Sequence, residues 1–324
     1  MSTGKVNERM KQPLIILTGP TAVGKTKMSL ALARAVDGEI ISADSMQVYR
    51  QMDIGSAKIR PEEMEGVRHH LIDVLDPDEA FHVVRFQEMA KAAMTEIFER
   101  KKIPILAGGT GFYIQAVLYD IDFAENGGDK AYRRELEDLA RKQGGEVLHA
   151  MLAQADPKSA EEIHARNVKR IIRALEYFHQ TGEKISDHNL RQREKESPYN
   201  FAYFVLNDQR QRLYERIDRR VDEMLSSGLV EEVSRLRAQG FTRDMVSMQG
   251  LGYKEMLDYL EGHCSLEEAV TVIKRDTRHF AKRQITWFKR EREVIWLDKG
   301  QADYDEGALL EQMLSELRKR QIIA

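Results

Sequence analysis

The sequence predicts an α/β fold: a parallel sheet flanked by helices, carrying an inserted helical domain. Three observations predict it. Strand-like and helix-like segments alternate through residues 13–121, the pattern of crossover connections in a parallel sheet. A glycine-containing octet, GPTAVGKT at 19–26, follows the first apolar run and leads into a helix-like stretch. A charged segment of helical periodicity, roughly 122–199, separates the first four strand candidates from the last two.

Taken in order, residues 1–12 (MSTGKVNERMKQ) are polar and read as a flexible tail without the apolar middle of a signal peptide. The run Pro13–Thr18 supplies a strand at Leu14–Leu17, and Lys27–Val36 supplies a helix. Further strands are expected at Glu39–Ala43, His70–Val74 and Ile103–Ala107. The insertion opens with ENGGD, whose Asn126-Gly127-Gly128-Asp129 suggests a lobe able to move, and is rich in Arg, Lys and Glu. Phe201–Leu206 and Val294–Leu297 return the chain to the sheet. Arg210–Gln239 reads as one or two long helices, with Leu213, Ile217, Val221, Met224 and Leu225 at core spacing. The expected organisation is a discontinuous core, 13–121 and 200–324, around an insertion at 122–199.

Composition narrows the class. With 324 residues, 42% apolar and 32% charged, the chain is long enough for one large or two ordinary packed domains. No apolar run approaches the ~18 residues of a membrane span. A single cysteine, Cys264, excludes an internal disulfide or a cysteine-based zinc site and suits a reducing cytoplasm. The net charge of −3 means that a nucleic-acid partner must meet local basic surfaces.

The octet carries the first chemistry. Gly19 and Gly24 let the backbone curl so that N–H groups point inward at a helix start. Gly19, Pro20, Thr21, Ala22, Val23, Gly24, Lys25 and Thr26 together form a diphosphate- or triphosphate-binding loop. Lys25 reaches the outer phosphate, and the Thr26 hydroxyl is placed to hold Mg²⁺. The fold is therefore P-loop NTPase-like. An ordinary glycine turn leaves Lys25-Thr26 unexplained.

Two more strand ends share that rim, because ligands bind beyond the carboxyl ends of parallel strands. EIISADSMQVYR (39–50) delivers Asp44, suited to a general base, a metal ligand through water, or a cap, with Gln47, Tyr49 and Arg50 able to read a base or a sugar. KIPILAGGTGFY (102–113) ends in Gly108-Gly109-Thr110 where a nucleoside triphosphatase usually carries an acidic metal ligand. Those glycines allow close approach by another backbone or a flat ligand.

Basic clusters point to a polyanion. From Lys274 to Arg292 there are eight Lys or Arg against two acids. Arg275, Arg278, Lys282 and Lys289 fall near one helical face, and Phe280 and Trp287 mark another. A second cluster, NVKRIIRALE, presents Lys169, Arg170 and Arg173. Such spacing suits an RNA-sized ligand, whereas the ordinary alternative is a solvated charged face.

Taken together, these segments resemble the tRNA dimethylallyltransferase family, of bacterial type. The resemblance rests on GPTAVGKT, DSMQVYRQMDIGSAK (44–58), HHLID (69–73), GGTGFY (108–113), RALE (173–176), QGLGYKE (249–255) and TRHFAKRQITWF (277–288), in order along residues 13–298. Gln51 and Ser56 depart from the usual Gly and Thr. With one cysteine, the chain lacks the zinc finger of longer eukaryotic relatives. The resemblance implies that the loop holds dimethylallyl diphosphate with Mg²⁺, that Arg220 binds the diphosphate, and that Asp44 is the general base. It implies tRNA contacts at Asp44, Ser45, Met46 and Gln47, at Thr110, at Arg133, and along Lys169, Arg170, Ile171, Ile172 and Arg173. The implied enzyme prenylates the adenosine 3′-adjacent to the anticodon; the cysteine usage suits the cytoplasm, and so much basic surface committed to RNA suits a monomer. A small-molecule or nucleotide kinase is the rival reading, and a non-catalytic RNA-binding protein a third.

Overall fold

The computed structural model describes residues 11–123 and 129–324, without the side chains of Lys130 and Arg193. Most of the tail and Asn126-Gly127-Gly128 therefore lie outside the described residues. The chain forms two compact units: one runs to Leu118 and resumes at Pro198, and the other is Tyr119–Ser197.

The larger unit begins with β1 (Gln12–Thr18), which starts inside the stretch expected as tail, and α1 (Lys25–Ala35). Next come β2 (Gly38–Ser42), β3 (His69–His70), α2 (Val83–Glu99), β4 (Ile103–Gly108) and α3 (Gly111–Leu118). The second unit contributes α4 (Lys130–Gln143), α5 (Gly145–Ala155), α6 (Pro157–Glu162), α7 (Val168–Thr181) and α8 (Ile185–Glu194). The chain then returns as β5 (Tyr199–Asn207), α9 (Arg210–Ser226), α10 (Leu229–Ala238) and α11 (Tyr253–Leu260). It finishes with α12 (Leu266–Phe288), β6 (Val294–Asp298) and α13 (Glu306–Lys319).

The six strands pair in the order β3-β2-β4-β1-β5-β6, every neighbouring pair parallel. Burial on both faces explains the unbroken apolar run of β1. Ile15 and Leu17 join the cluster formed with α1 and α13, so Leu14 and Ile16 point to the opposite face. The strand expected at His70–Val74 is only His69–His70. Leu71 and Asp73 take φ of 62° and 55°, which an extended strand does not accommodate.

α12, 23 residues long, is doubly capped at its start. Ser265 Oγ accepts from Glu268 N at 3.2 Å, and the Glu268 carboxylate accepts from Ser265 N at 2.8 Å. In the second unit, Leu136, Leu148, Leu152, Ile171, Ile172 and Leu175 form a separate core. Asp156, 1% exposed, ties α6 to α8 by accepting from the backbone and hydroxyl groups of both Ser159 and Ser186.

Candidate active site

The phosphate loop joins β1 to α1 at the carboxyl edge of the sheet. Gly19 (φ 146°) passes so close to β5 that a Cβ would lie 2.5 Å from the Leu206 carbonyl oxygen. Gly24 (φ 103°) precedes α1 without a side-chain cap, leaving the first-turn N–H groups available to an anion. Lys25 Nζ donates at 2.9 Å to the carbonyls of both Gly19 and Pro20, arching over the loop. Burial, then the charge of Arg220, depress its pKa to about 7, with Asp44 acting in the opposite sense. The loop is thus poised to regain a full positive charge when an anion enters.

Asp44 leaves β2 beside it. Its Oδ1 accepts from Met46 N at 2.8 Å and weakly from Gln47 N at 3.4 Å, so one oxygen does cap the following turn. Its Oδ2 has no hydrogen bond among the described residues. Lys25, Thr26, Asp44 and Gln47 line one small cleft of about 60 Å³, walled by apolar groups including Ile40 and Ile72. Tyr49 is not a base reader. It is fully buried in the core, its hydroxyl donating to Glu79 O at 3.2 Å. Gln47 is committed to Ser42 and Ala57, and Arg50 pairs with Asp76. Ser45 and Met46 are half-buried, Met46 lying against the close backbone of Gly250 in the QGLGYKE segment.

The paired glycines after β4 admit a backbone. A Cβ on Gly108 would lie 2.2 Å from Ala43 O, and Thr110 N donates to that same oxygen at 3.2 Å. Thr110 is thereby held next to the residue preceding Asp44. Gln284 of α12, 6% exposed, fastens this turn to the phosphate loop. Its Oε1 accepts from Thr21 N and its Nε2 donates to Gly109 O, both at 2.9 Å.

Arg220 on α9 completes the rim. Burial lowers its pKa, the fields of Asp44 and Glu223 work against that shift, and it has no ion pair among the described residues. The basic run on α12 divides in two. Lys274, Arg275 and Arg278 are neutralised by Asp222, Asp276 and Asp218. Lys282, Arg283, Lys289 and Arg290 are exposed and make no ion pair among the described residues.

In the second unit, α7 is amphipathic. Lys169, Arg170 and Arg173 face solvent. Ile171 and Ile172, expected with them as RNA contacts, are 0% and 4% exposed in that unit's core. Their side chains cannot meet RNA and instead stabilise the unit, by about 1.5–3 kcal/mol each when fully buried. Arg133 is held by Glu176 through two hydrogen bonds of 2.7 and 2.6 Å.

Residues 47–291 match the IPP transferase family model. The tRNA dimethylallyltransferase of Lachnoclostridium phytofermentans is 63% identical over 313 residues, covering 96% of this chain and 99% of the relative. The chain belongs to the IPP transferase family. The solved full-length tRNA isopentenylpyrophosphate transferase of Bacillus halodurans is 45% identical with a TM-score of 0.72, covering 96% of this chain and 98% of that one. A eukaryotic dimethylallyltransferase acting on tRNA aligns at 30% identity and TM-score 0.78, covering 89% of this chain and 74% of that one. An IPP transferase is an enzyme of the prenyltransferase type with a P-loop NTPase-like fold, and the kinase alternative falls away.

Several residues that build this IPP transferase site went unread in the sequence. Glu232, 1% exposed, accepts from the N–H groups of Asp53, Ile54 and Gly55 and from the Tyr253 hydroxyl. Buried Lys58 donates to Tyr49 O, Asp53 and Asp73. These two charges fix the loop that follows Asp44. The HHLID motif has a structural use as well, for His70 and Arg100 both bind the buried Glu39 carboxylate and hold it down to about 2 against the effect of burial. The donor set suits Mg²⁺, a hard cation that prefers oxygen. The Thr26 hydroxyl, exposed in the first turn of α1 and lining the same cleft, is the oxygen placed to hold it.

Proposed function

We propose that this IPP transferase moves a dimethylallyl group from dimethylallyl diphosphate to the exocyclic N6 amine of the adenosine 3′-adjacent to the anticodon in tRNA. The observation carrying this reading is the pairing, in one cleft, of the phosphate loop with an Asp44 carboxylate whose second oxygen is free. The new C–N bond forms as the allylic C–O bond breaks, inorganic diphosphate leaves, and the amine proton passes to Asp44. That amine is a weak nucleophile because its lone pair is delocalised into the ring. Stabilising the departing diphosphate is therefore the largest contribution available to the protein. The loop N–H groups, Lys25 and Arg220 supply it. Thr26 would hold Mg²⁺, which would supply further neutralisation of the phosphate charge.

The adenine leaves its stack to reach Asp44. Ser45, Met46, Gln47 and Thr110 surround its entry, and Lys169, Arg170 and Arg173 contact the RNA backbone, assisted by Arg133. The exposed cations at the end of α12 add further phosphate contacts. We infer a cytoplasmic monomer, in keeping with a tRNA substrate. No helix among the described residues is long and apolar enough to cross a membrane. Incubation with labelled dimethylallyl diphosphate, Mg²⁺ and unmodified tRNA tests the proposal. Label recovered on that adenosine supports it, and label released without entering RNA refutes it.

A further inference from the structure

Two more cations meet the phosphate loop. Lys299 follows β6 and is 7% exposed. Its Nζ has one long hydrogen bond, 3.4 Å to Val23 O, and no ion pair among the described residues. Arg216 stands one helical turn before Arg220 on α9 and is likewise without an ion pair among the described residues. A Cβ built on Gly24 would lie 3.3 Å from Lys299 Nζ and 3.5 Å from an Arg216 guanidinium nitrogen. Both cations therefore abut the loop backbone immediately before Lys25.

The neighbouring carboxylates do not neutralise them. Glu306 pairs with Lys27 at 2.8 Å. Asp208 accepts from Gln209 N at 2.7 Å and from the Tyr304 hydroxyl at 3.3 Å, without an ion pair to Lys299. Burial, then the charge of Arg216, hold Lys299 below the ordinary lysine range even with Glu306 and Asp208 opposing. A buried lysine set against an arginine, with no acid bonded to either, is a costly arrangement. An anion lying between them removes the cost.

We propose that Lys299 and Arg216 bind the diphosphate together with the loop, giving the leaving group a second pair of cations beyond Lys25 and Arg220. The inference rests on the loop being a diphosphate site and deepens that reading. Charge-assisted hydrogen bonds from an ammonium and a guanidinium are short and strong, and they strengthen as charge collects on the departing oxygens. The pair thus acts on binding and on the transition state alike. Position 24 itself calls for glycine because its φ of 103° strains any L side chain.

The test uses the full chain, Lys299→Met, Arg216→Gln and the double variant, each titrated calorimetrically with inorganic diphosphate and Mg²⁺. tRNA affinity and melting temperature are measured in parallel. Each single variant is expected to bind diphosphate about 10- to 100-fold more weakly, the range for one hydrogen bond to a charged group. Both should keep tRNA affinity within about two-fold and melt no lower than the parent, since each removes an uncompensated cation. Parental diphosphate affinity in the double variant overturns the proposal. So does weakened tRNA binding with diphosphate binding intact, which makes the pair an RNA contact. Should Lys299→Met fail to fold, half-exposed Arg216→Gln decides alone. A parent that binds no diphosphate overturns the loop assignment itself, an outcome distinct from a parent that binds and variants that match it.

Discussion

Replacing Lys25 by Met should make the core unit more stable while abolishing diphosphate binding. The fall of its pKa from 10.5 to about 7 means that folding penalises the ammonium. At ~1.4 kcal/mol per pKa unit, the full penalty is about 5 kcal/mol, and at neutral pH about 4 kcal/mol of it remains. Met also forfeits the two hydrogen bonds to Gly19 O and Pro20 O, at roughly 1 kcal/mol each. A net gain of about 2 kcal/mol at pH 7 is expected. The direction with pH follows from proton counts. Between about pH 7 and 10.5 the unfolded chain holds a proton on Lys25 that the folded chain has released, so the parent gains stability as pH rises through that window. The advantage of Met therefore shrinks and is gone by about pH 9. Denaturant unfolding followed by tryptophan fluorescence suits this measurement, because both tryptophans, Trp287 and Trp296, lie in the unit that contains the loop. A Lys25→Met protein less stable than the parent by the same amount at pH 7 and pH 9 would refute the argument, for it would mean that the ammonium is already well compensated.

Calorimetry of diphosphate binding to the parent in buffers of different ionisation enthalpy should reveal proton uptake that is small below pH 7 and grows toward pH 9, as the anion restores the charge on Lys25; release of protons would contradict this. Asp44→Asn, which keeps the Oδ1 acceptor and the turn, should slow prenyl transfer by ~10²-fold or more while leaving tRNA binding within about a few-fold. Near-parental turnover would remove Asp44 from the base role. Gln284→Ala frees the phosphate loop from the turn after β4, and should raise KM for the prenyl diphosphate more than KM for tRNA, which steady-state kinetics will check. Replacing Lys169, Arg170 and Arg173 together by Ala should weaken tRNA binding and flatten its salt dependence by up to ~3 in slope, with single-turnover chemistry on bound tRNA unchanged. An unchanged slope would mean that these side chains are merely solvated.

Signals that are local in sequence were legible. GPTAVGKT names a backbone shape and a helix start at once, since glycine spacing and the Lys-Thr pair act within a few residues. Asp44 and Thr110 were legible as strand-end residues on one rim, whereas Arg220 came only from the family resemblance. Spacing also separated Leu213, Ile217 and Val221 as the buried face of α9, although Met224 and Leu225, expected with them, are only half-buried. In RIIRALE, Ile171 and Ile172 sit at core positions between arginines that do not. Tyr49 misled for a related reason, because a tyrosine hydroxyl reads as polar until its ring is found fully buried.

The sequence by itself determined the glycine-bounded loop of residues 19–26 and the parallel sheet, because each depends on short-range backbone geometry or on periodicity. Only the tertiary structure decided which charges are spent and which are free. Arg133 and Arg278 are engaged by carboxylates 43 and 60 residues away, whereas Lys299 and Arg216 are brought to one loop from opposite ends of the β5–β6 segment without such partners. Glu232 and Gln284 reach loops 177 and 263 residues distant. Pairing at such separations is set by how strands and helices stack, and a charge is neutralised or exposed only after that packing has fixed its neighbours.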